Sequence, residues 1–250
     1  MKVYLIGRNF SRIQSILRQN GIEFADSPEQ ADLLITHGGD GALLGADQRF
    51  PDKRKFPIRD AETAPLCPIH GLEKQIDWLV QNKLSISTLP RLTCLFNGKP
   101  APLKALNDIF IHNSNRVMAM RYKVWIDGEL YGHEIVGDGV GVSTVHGSTA
   151  YYRSITHSTF RTGIGLAFSN STELVNHIVL HERSRVNIKI LRGPCEMVAD
   201  NSPDRVFMQE GDEAQIMLSN EFAEIAGLNI FMCPECRMLR HTLRNSTQYA

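Results

Sequence analysis

Three short stretches of the chain carry residue types suited to phosphate and sugar chemistry. The first, Gly38-Gly39-Asp40-Gly41, follows an apolar run at residues 33–35. Glycines at a strand end can take positive φ, so successive backbone N–H groups converge and can cradle a phosphate. Open α/β sheets place ligands just beyond the carboxyl ends of their strands. A carboxylate in such a cradle is repelled by its ligand unless it has a task. Two tasks fit Asp40: accepting the proton of an attacking hydroxyl, or holding Mg²⁺ against the phosphates. A tight turn with a solvated Asp fits the same four residues. The second stretch, Asn107-Asp108, interrupts an apolar run expected to be extended over 105–111. An amide beside a carboxylate offers both donor and acceptor to paired ribose hydroxyls; a strand start or a bulge is the structural alternative. The third runs Gly137-Asp138-Gly139-Val140-Gly141-Val142-Ser143-Thr144, then Gly147-Ser148-Thr149-Ala150-Tyr151. It reads as a short strand entering a glycine turn and then a helix start, a favourable place for an anion or the edge of a base. Small Ala150 permits close approach, Tyr151 offers a ring for stacking, and Ser154 follows three residues later. A Ser/Thr helix cap explains the hydroxyls but not the glycines.

A different chemistry is written in Cys67-Pro68-Ile69-His70 and Cys233-Pro234-Glu235-Cys236. Each pair leaves two residues between its ligands, a spacing that lets both side chains reach one tetrahedral zinc. Together they would supply three thiolates and an imidazole to a closed, structural Zn²⁺ site, provided the C-terminal tail packs back on the first domain. Unpaired thiols and a surface His70 are the alternative. Among the other histidines (His37, His112, His133, His146, His157, His177, His181, His241) only His146, inside the third stretch, stands out.

The elements that must position these residues follow from hydrophobic periodicity. Residues 3–6 form a short apolar strand closed by Gly7, and 10–19 form a helix with Ile13, Ile16 and Leu17 on one face, stopped at Gly21. Residues 33–35 read as a second buried strand. Leu72, Ile76, Leu79 and Val80 recur at helical spacing, followed by an extended run at 84–89. Strand–helix–strand order implies a parallel sheet with helices on its faces. Beyond residue 105 the pattern turns to β. Segments 118–126 and 129–136 flank Asp127-Gly128, a two-residue hairpin signal, and 186–191, 205–208 and 214–218 read as further strands. The charged segment 48–55 reads as a loop with a solvated surface, with attraction to phosphate as its functional alternative.

Composition narrows the classes. The 250 residues are 42% hydrophobic, enough for one sizeable core or two modest ones, and the pattern favours two. Twenty-seven basic residues balance 27 acidic ones, so the broad positive field of a nucleic-acid binder is missing. No apolar run is long enough to span a bilayer, and the apolar part of the first seven residues is too short for a signal peptide. Five cysteines, an odd count, make no disulfide framework; a reducing, cytoplasmic setting is expected.

In their order and spacing, the three stretches resemble the signature of the NAD kinase family: a GGDG turn, an Asn-acid pair on a strand, and a DG…ST..GSTAY segment. The resemblance is convincing over residues 3–154 and weaker through 178–180 and the later strands. It implies an α/β plus all-β architecture: an N-terminal α/β domain with a parallel sheet (1–104), a C-terminal β-sandwich-like domain (105–225) and a tail (226–250) returning to the first, with the active site in the cleft between them. Asp40 would activate the adenosine 2′-hydroxyl of NAD(H) for attack on the γ-phosphate of ATP, with Mg²⁺, or on polyphosphate, flanked by Gly39 and Gly41. Asn107 and Asp108 would hold the ribose and nicotinamide half, Asp138 would also face the nicotinamide end, and Thr149, Ala150, Tyr151 and Ser154 would frame adenine. A homodimer or homotetramer is implied, with no nucleic-acid or membrane partner.

The chain departs from the family pattern at several points. Ala42 stands where GGDG is usually followed by Thr. The family's glycine-rich segment is not recognisable, and Phe56-Pro57-Ile58-Arg59-Asp60 stands roughly in its place. Val145-His146 replaces Pro-Thr before Gly147, and the residues after Tyr151 differ, with Arg153 among them. Two other functions remain open: a relative that binds a dinucleotide without transferring phosphate, and a GGDG kinase acting on a lipid or another nucleoside. The absence of a membrane-directed amphipathic or basic segment speaks against a lipid substrate.

Overall fold

The computed structural model describes residues 1–61, 64, 66–115 and 117–238. Residues 239–250 of the expected tail, His241 included, lie outside them. The chain divides into two compact units, Pro90–Phe222 and a first unit made of Met1–Leu89 with the described residues from Ala223 on. The sequence places the divisions at 104/105 and 225/226 instead.

The first unit is built on β1 (Lys2–Gly7), α1 (Phe10–Gln19), β2 (Glu23–Phe24), β3 (Leu33–His37), α2 (Asp40–Arg49), β4 (Lys55–Ile58) and α3 (Leu72–Val80). Its strands lie in the order β2-β1-β3-β4, all parallel, as the alternation of strands and helices requires. α1 spans the predicted residues and buries Ile13, Ile16 and Leu17; Gly21, at φ +70°, turns the chain out of it. β3 is buried along its whole length, the pattern of a strand covered on both faces. Val3, Leu33, Ile35, Phe56, Ile58, Leu72 and Ile76 join the α1 stripe in one core. The charged segment 48–55 differs from its reading. Gln48 and Arg49 end α2, and Lys55 opens β4, fully buried, with Nζ 2.5 Å from Oδ1 of Asp47. A lysine enters a core when a carboxylate is waiting there.

The second unit begins within β5 (Ile86–Phe96) and continues through β6 (Lys99–Ala105), β7 (Asp108–Asn113), β8 (Met120–Ile126), β9 (Glu129–Gly137), β10 (Gly139–Ser143), α4 (Tyr151–Thr156), β11 (Ile164–Ser169), β12 (Ile178–Leu180), β13 (Val186–Arg192), β14 (Cys195–Ala199), β15 (Arg205–Met208) and most of β16 (Glu213–Ala226). One sheet runs β16-β13-β8-β9, with the β5–β6 hairpin paired to β16; the other runs β12-β11-β10-β7-β14-β15, antiparallel throughout. Leu92, Leu103, Ile109, Ile111, Tyr122, Val140, Ile188 and Ile216 belong to the core that the two sheets share. The predicted hairpin is present, with Asp127 and Gly128 both at positive φ, 53° and 92°. One extended reading and one turn reading are revised. The run 105–111 breaks at Leu106 and Asn107, so Asp108 starts a strand; and Gly139 and Gly141 lie inside β10 rather than in a turn.

The end of β16 rejoins the first unit, where Ile225 pairs in parallel with Lys55 of β4, and a short α5 (Leu228–Phe231) follows. Among the described residues no helix is long and apolar enough to cross a membrane.

Candidate functional site

In the first unit the Gly-Gly-Asp-Gly stretch does not form a run of left-handed glycines. Gly38 alone takes positive φ, at 150°, Gly39 is the extended N-cap, and Asp40 opens α2. A Cβ at Gly38 would lie 3.2 Å from that of Ala42, so Ala42 closes the turn by packing against it. The result is a helix N-terminus at the carboxyl end of a buried parallel strand, where backbone N–H groups and the helix dipole favour negative charge. The Asp40 side chain is 57% exposed, yet its direction is set: Nη1 and Nη2 of Arg59 stand 3.4 and 3.3 Å from its Oδ2 and Oδ1. Arg59 itself is buried. Its Nε donates to the carbonyl of Phe231 at 3.1 Å, and its Cζ lies 3.9 Å from the centre of the Phe231 ring. A planar guanidinium held on an aromatic face can present both donors to a carboxylate at once, which a lysine cannot do. Asp60, next along the chain, takes Nδ2 of Asn9 at 2.8 Å.

In the second unit the Asn-acid pair sits on a bend stapled by an acid that the sequence reading did not single out. Asp200 Oδ2 accepts the N–H of Leu106 at 2.8 Å, and its Oδ1 accepts those of Asn107 and Asp108 at 2.8 and 3.1 Å. Its position two residues before Ser202-Pro203, in a polar run, is the only signal it leaves in the sequence. Gly147 presses on the same bend, and a Cβ there would meet the carbonyl oxygen of Asn107 at 2.1 Å. Thr144 ties the two segments together: its hydroxyl donates to the Leu106 carbonyl and accepts the N–H of Gly147. Asp108 is 8% exposed, and burial, reinforced by the charge of Asp200, pushes its carboxyl up to about 7.

Strand alternation then sorts the face. Ile109 and Ile111 enter the sandwich core, while Asp108, Phe110 and His112 point to the side that α4 covers. Opposite them on β10 stand Ser143, Gly141 and Gly139. A Cβ at Gly141 would lie 2.4 Å from Cγ of Phe110, so that glycine makes room for a ring. Tyr152 is buried against Phe160, and Tyr151 stays 39% exposed with its ring edge-on to Phe110 at 4.8 Å. Anchored on one side and open on the other, Tyr151 can stack a flat heterocycle. A cavity of ≈ 550 Å³ opens beside it, lined also by Ser154, His157, Phe168, Asn170 and His177. The hydroxyls nearby are engaged internally, Thr149 with the His146 carbonyl and Ser154 with that of Tyr151. Asp138 lies apart from Asn107 and Asp108. It opposes Asn113 across from the far end of β7, about 17 Å along the strand from Asp108 at ~3.4 Å per residue, and accepts Nδ2 of Asn170 at 2.8 Å.

The two Cys pairs do come together, in the first unit. Sγ of Cys67, Cys233 and Cys236 and a ring nitrogen of His70 all lie within 4.8 Å of one another.

No protein-family model matches the chain. Among curated proteins it is 29% identical over 201 residues to the NAD kinase of a Clostridium botulinum strain, covering 76% of this chain and 67% of that one. It is 30% identical over 183 residues to the NAD kinase of a Gemmatimonas aurantiaca strain, covering 67% and 62%. Among solved structures, yeast NADH kinase complexed with NADH matches 92% of this chain and 86% of its own with a TM-score of 0.76 at 18% identity. An NAD kinase from Archaeoglobus fulgidus in complex with ATP matches 95% and 99% with a TM-score of 0.74 at 19% identity. The structures carry the fold. The sequences carry the kinship: the chain belongs to the NAD kinase family.

Proposed function

We propose that the chain transfers the γ-phosphate of ATP, bound with Mg²⁺, to the adenosine 2′-hydroxyl of NAD or NADH, giving NADP(H); polyphosphate is the alternative donor. The observation that carries this reading is Asp40, an accessible carboxylate aimed by a buried Arg59 at the N-terminus of α2. In the reaction the 2′-hydroxyl gives its proton to Asp40 as its oxygen attacks the γ-phosphorus, and ADP leaves with the electrons of the broken bond. Gly39 and Gly41 would lie against phosphate. Asn107 and Asp108 would hold ribose and the nicotinamide end, Asp138 would face the nicotinamide end from its separate position, and Thr149, Ala150, Tyr151 and Ser154 would frame adenine. The open face of Tyr151 supports the last assignment. The same reading carries an assembly of two or four copies working in the cytoplasm.

A second reading, a relative that binds dinucleotide without transferring phosphate, also has an observation in its favour. Arg59 faces both oxygens of the carboxylate that must take up the proton. One assay separates the two: NADP(H) formation from NAD and NADH with ATP or polyphosphate, on the wild type and on Asp40→Asn. The kinase reading expects turnover in the wild type and a loss of about 10²–10⁴-fold in the variant, with dinucleotide affinity retained. Binding by calorimetry without product from any donor would establish the second reading.

A further inference from the structure

The geometry points to a structural zinc ion held by Cys67, His70, Cys233 and Cys236, a site that does not rest on the kinase reading. The four ligands come from two segments more than 160 residues apart in sequence, and both segments present them from tight turns. In the first, Pro68–His70 form a single 3₁₀ turn, closed by the His70 N–H on the Cys67 carbonyl at 2.9 Å, which folds His70 back over Cys67. In the second, the Arg237 N–H reaches the Cys233 carbonyl at 3.0 Å, so Cys233 and Cys236 share one face of a helical turn.

All four ligand atoms lie within 4.8 Å of one another, and four of their six separations fall close to the edges of a zinc tetrahedron. Zinc takes sulfur at ~2.3 Å and nitrogen at ~2.0–2.1 Å, which sets tetrahedral edges of about 3.8 Å for S···S and about 3.5 Å for S···N. Sγ of Cys67 lies 4.0 Å from that of Cys233 and 3.3 Å from that of Cys236. Nδ1 of His70 lies 3.2 and 3.6 Å from Sγ of Cys67 and Cys236. These separations are too long for a disulfide, and all three cysteines are free thiols. The surroundings are those of a bound thiolate. The three cysteines are 1–5% exposed, and the Cys67 N–H points at Sγ of Cys236 at 3.2 Å. The backbone of His70 is fixed by Nε2 of Gln75 on its carbonyl at 2.7 Å, and its ring meets the edge of Trp78. Four protein ligands leave no coordination position for water or substrate, so the ion is structural. On binding, the three thiols give their protons to solvent, and the site carries a net charge of about −1.

Elemental analysis of the purified full-length chain, supplied with zinc and dialysed, tests this directly. One zinc per chain is expected, together with the d–d bands of tetrahedral cobalt and thiolate-to-cobalt charge transfer when Co²⁺ replaces it. Cys233→Ser and Cys236→Ser should lose the metal and melt at lower temperature, whereas Cys94→Ser, in the sandwich, should keep it. The wild-type stoichiometry and cobalt spectrum decide the matter even if the ligand variants fail to fold. A wild type that binds no zinc, a six-coordinate cobalt spectrum, or full zinc retention in the Cys233→Ser/Cys236→Ser double variant would overturn the assignment.

Discussion

The buried carboxyl of Asp108 makes the stability of the sandwich unit depend on pH in a direction opposite to that of an ordinary ion-paired acid. Its pKa rises from 3.8 to about 7, first because burial removes water from the charged form and second because Asp200 lies close. Between those values the folded chain keeps a proton that the unfolded chain has released. The stabilisation is therefore fully present below about pH 4 and is lost as pH rises through 7. Each pH unit in that window is worth about 1.4 kcal/mol, about 4 kcal/mol in all. Asp108→Asn imitates the protonated form and removes the dependence. Urea unfolding from pH 4 to 8, in a Trp78→Phe background so that Trp125 of β8 reports on the sandwich, measures the difference between the two proteins. Near pH 4 they should be similar; by pH 8 the Asn variant should be the more stable by up to about 4 kcal/mol. A difference that stays flat across the range, or one in which wild type gains on the variant as pH rises, refutes the reasoning.

Two further outcomes follow from packing. Removing one partner of the buried Lys55–Asp47 pair by Asp47→Ala should cost about 3–5 kcal/mol, whereas Lys55→Met with Asp47→Leu should be nearly neutral; thermal melts of the three proteins decide it. Gly147→Ala drives a methyl into the Asn107 carbonyl and should cost about 1–3 kcal/mol or more and weaken dinucleotide binding; Gly39→Ala, whose Cβ meets nothing within 4 Å, should leave the melting temperature almost unchanged.

What was legible in the sequence had a period or a fixed spacing behind it. The α1 stripe, the hairpin at Asp127-Gly128 and the strand 205–208 could be read because one face is apolar or one turn needs left-handed residues. The Cys pairs were legible singly through their two-residue gaps; their meeting depends on where β16 delivers the chain. Other features needed the third dimension. Lys55 looked like solvated charge because its partner sits eight residues away across a helix and a turn. Gly139 and Gly141 looked like a turn because the ring that requires Gly141 to be small belongs to a neighbouring strand. Asp200 was silent for the same reason: the three N–H groups it binds lie more than 90 residues upstream.

The partner that Arg59 leans on, Phe231, lies 172 residues further along the chain, and Ile225, which pairs with Lys55 of β4, lies 170 further. A ribosome makes the Gly-Gly-Asp-Gly stretch well before the residues that complete its surroundings. During synthesis β1, β3 and β4 must wait, one sheet edge unpaired, while the whole sandwich emerges and folds. A nascent chain stalled before residue 225 would expose that edge to other chains and leave Asp40 without its oriented guanidinium. Of the two units, the one whose strands are made earlier is thus the one completed later.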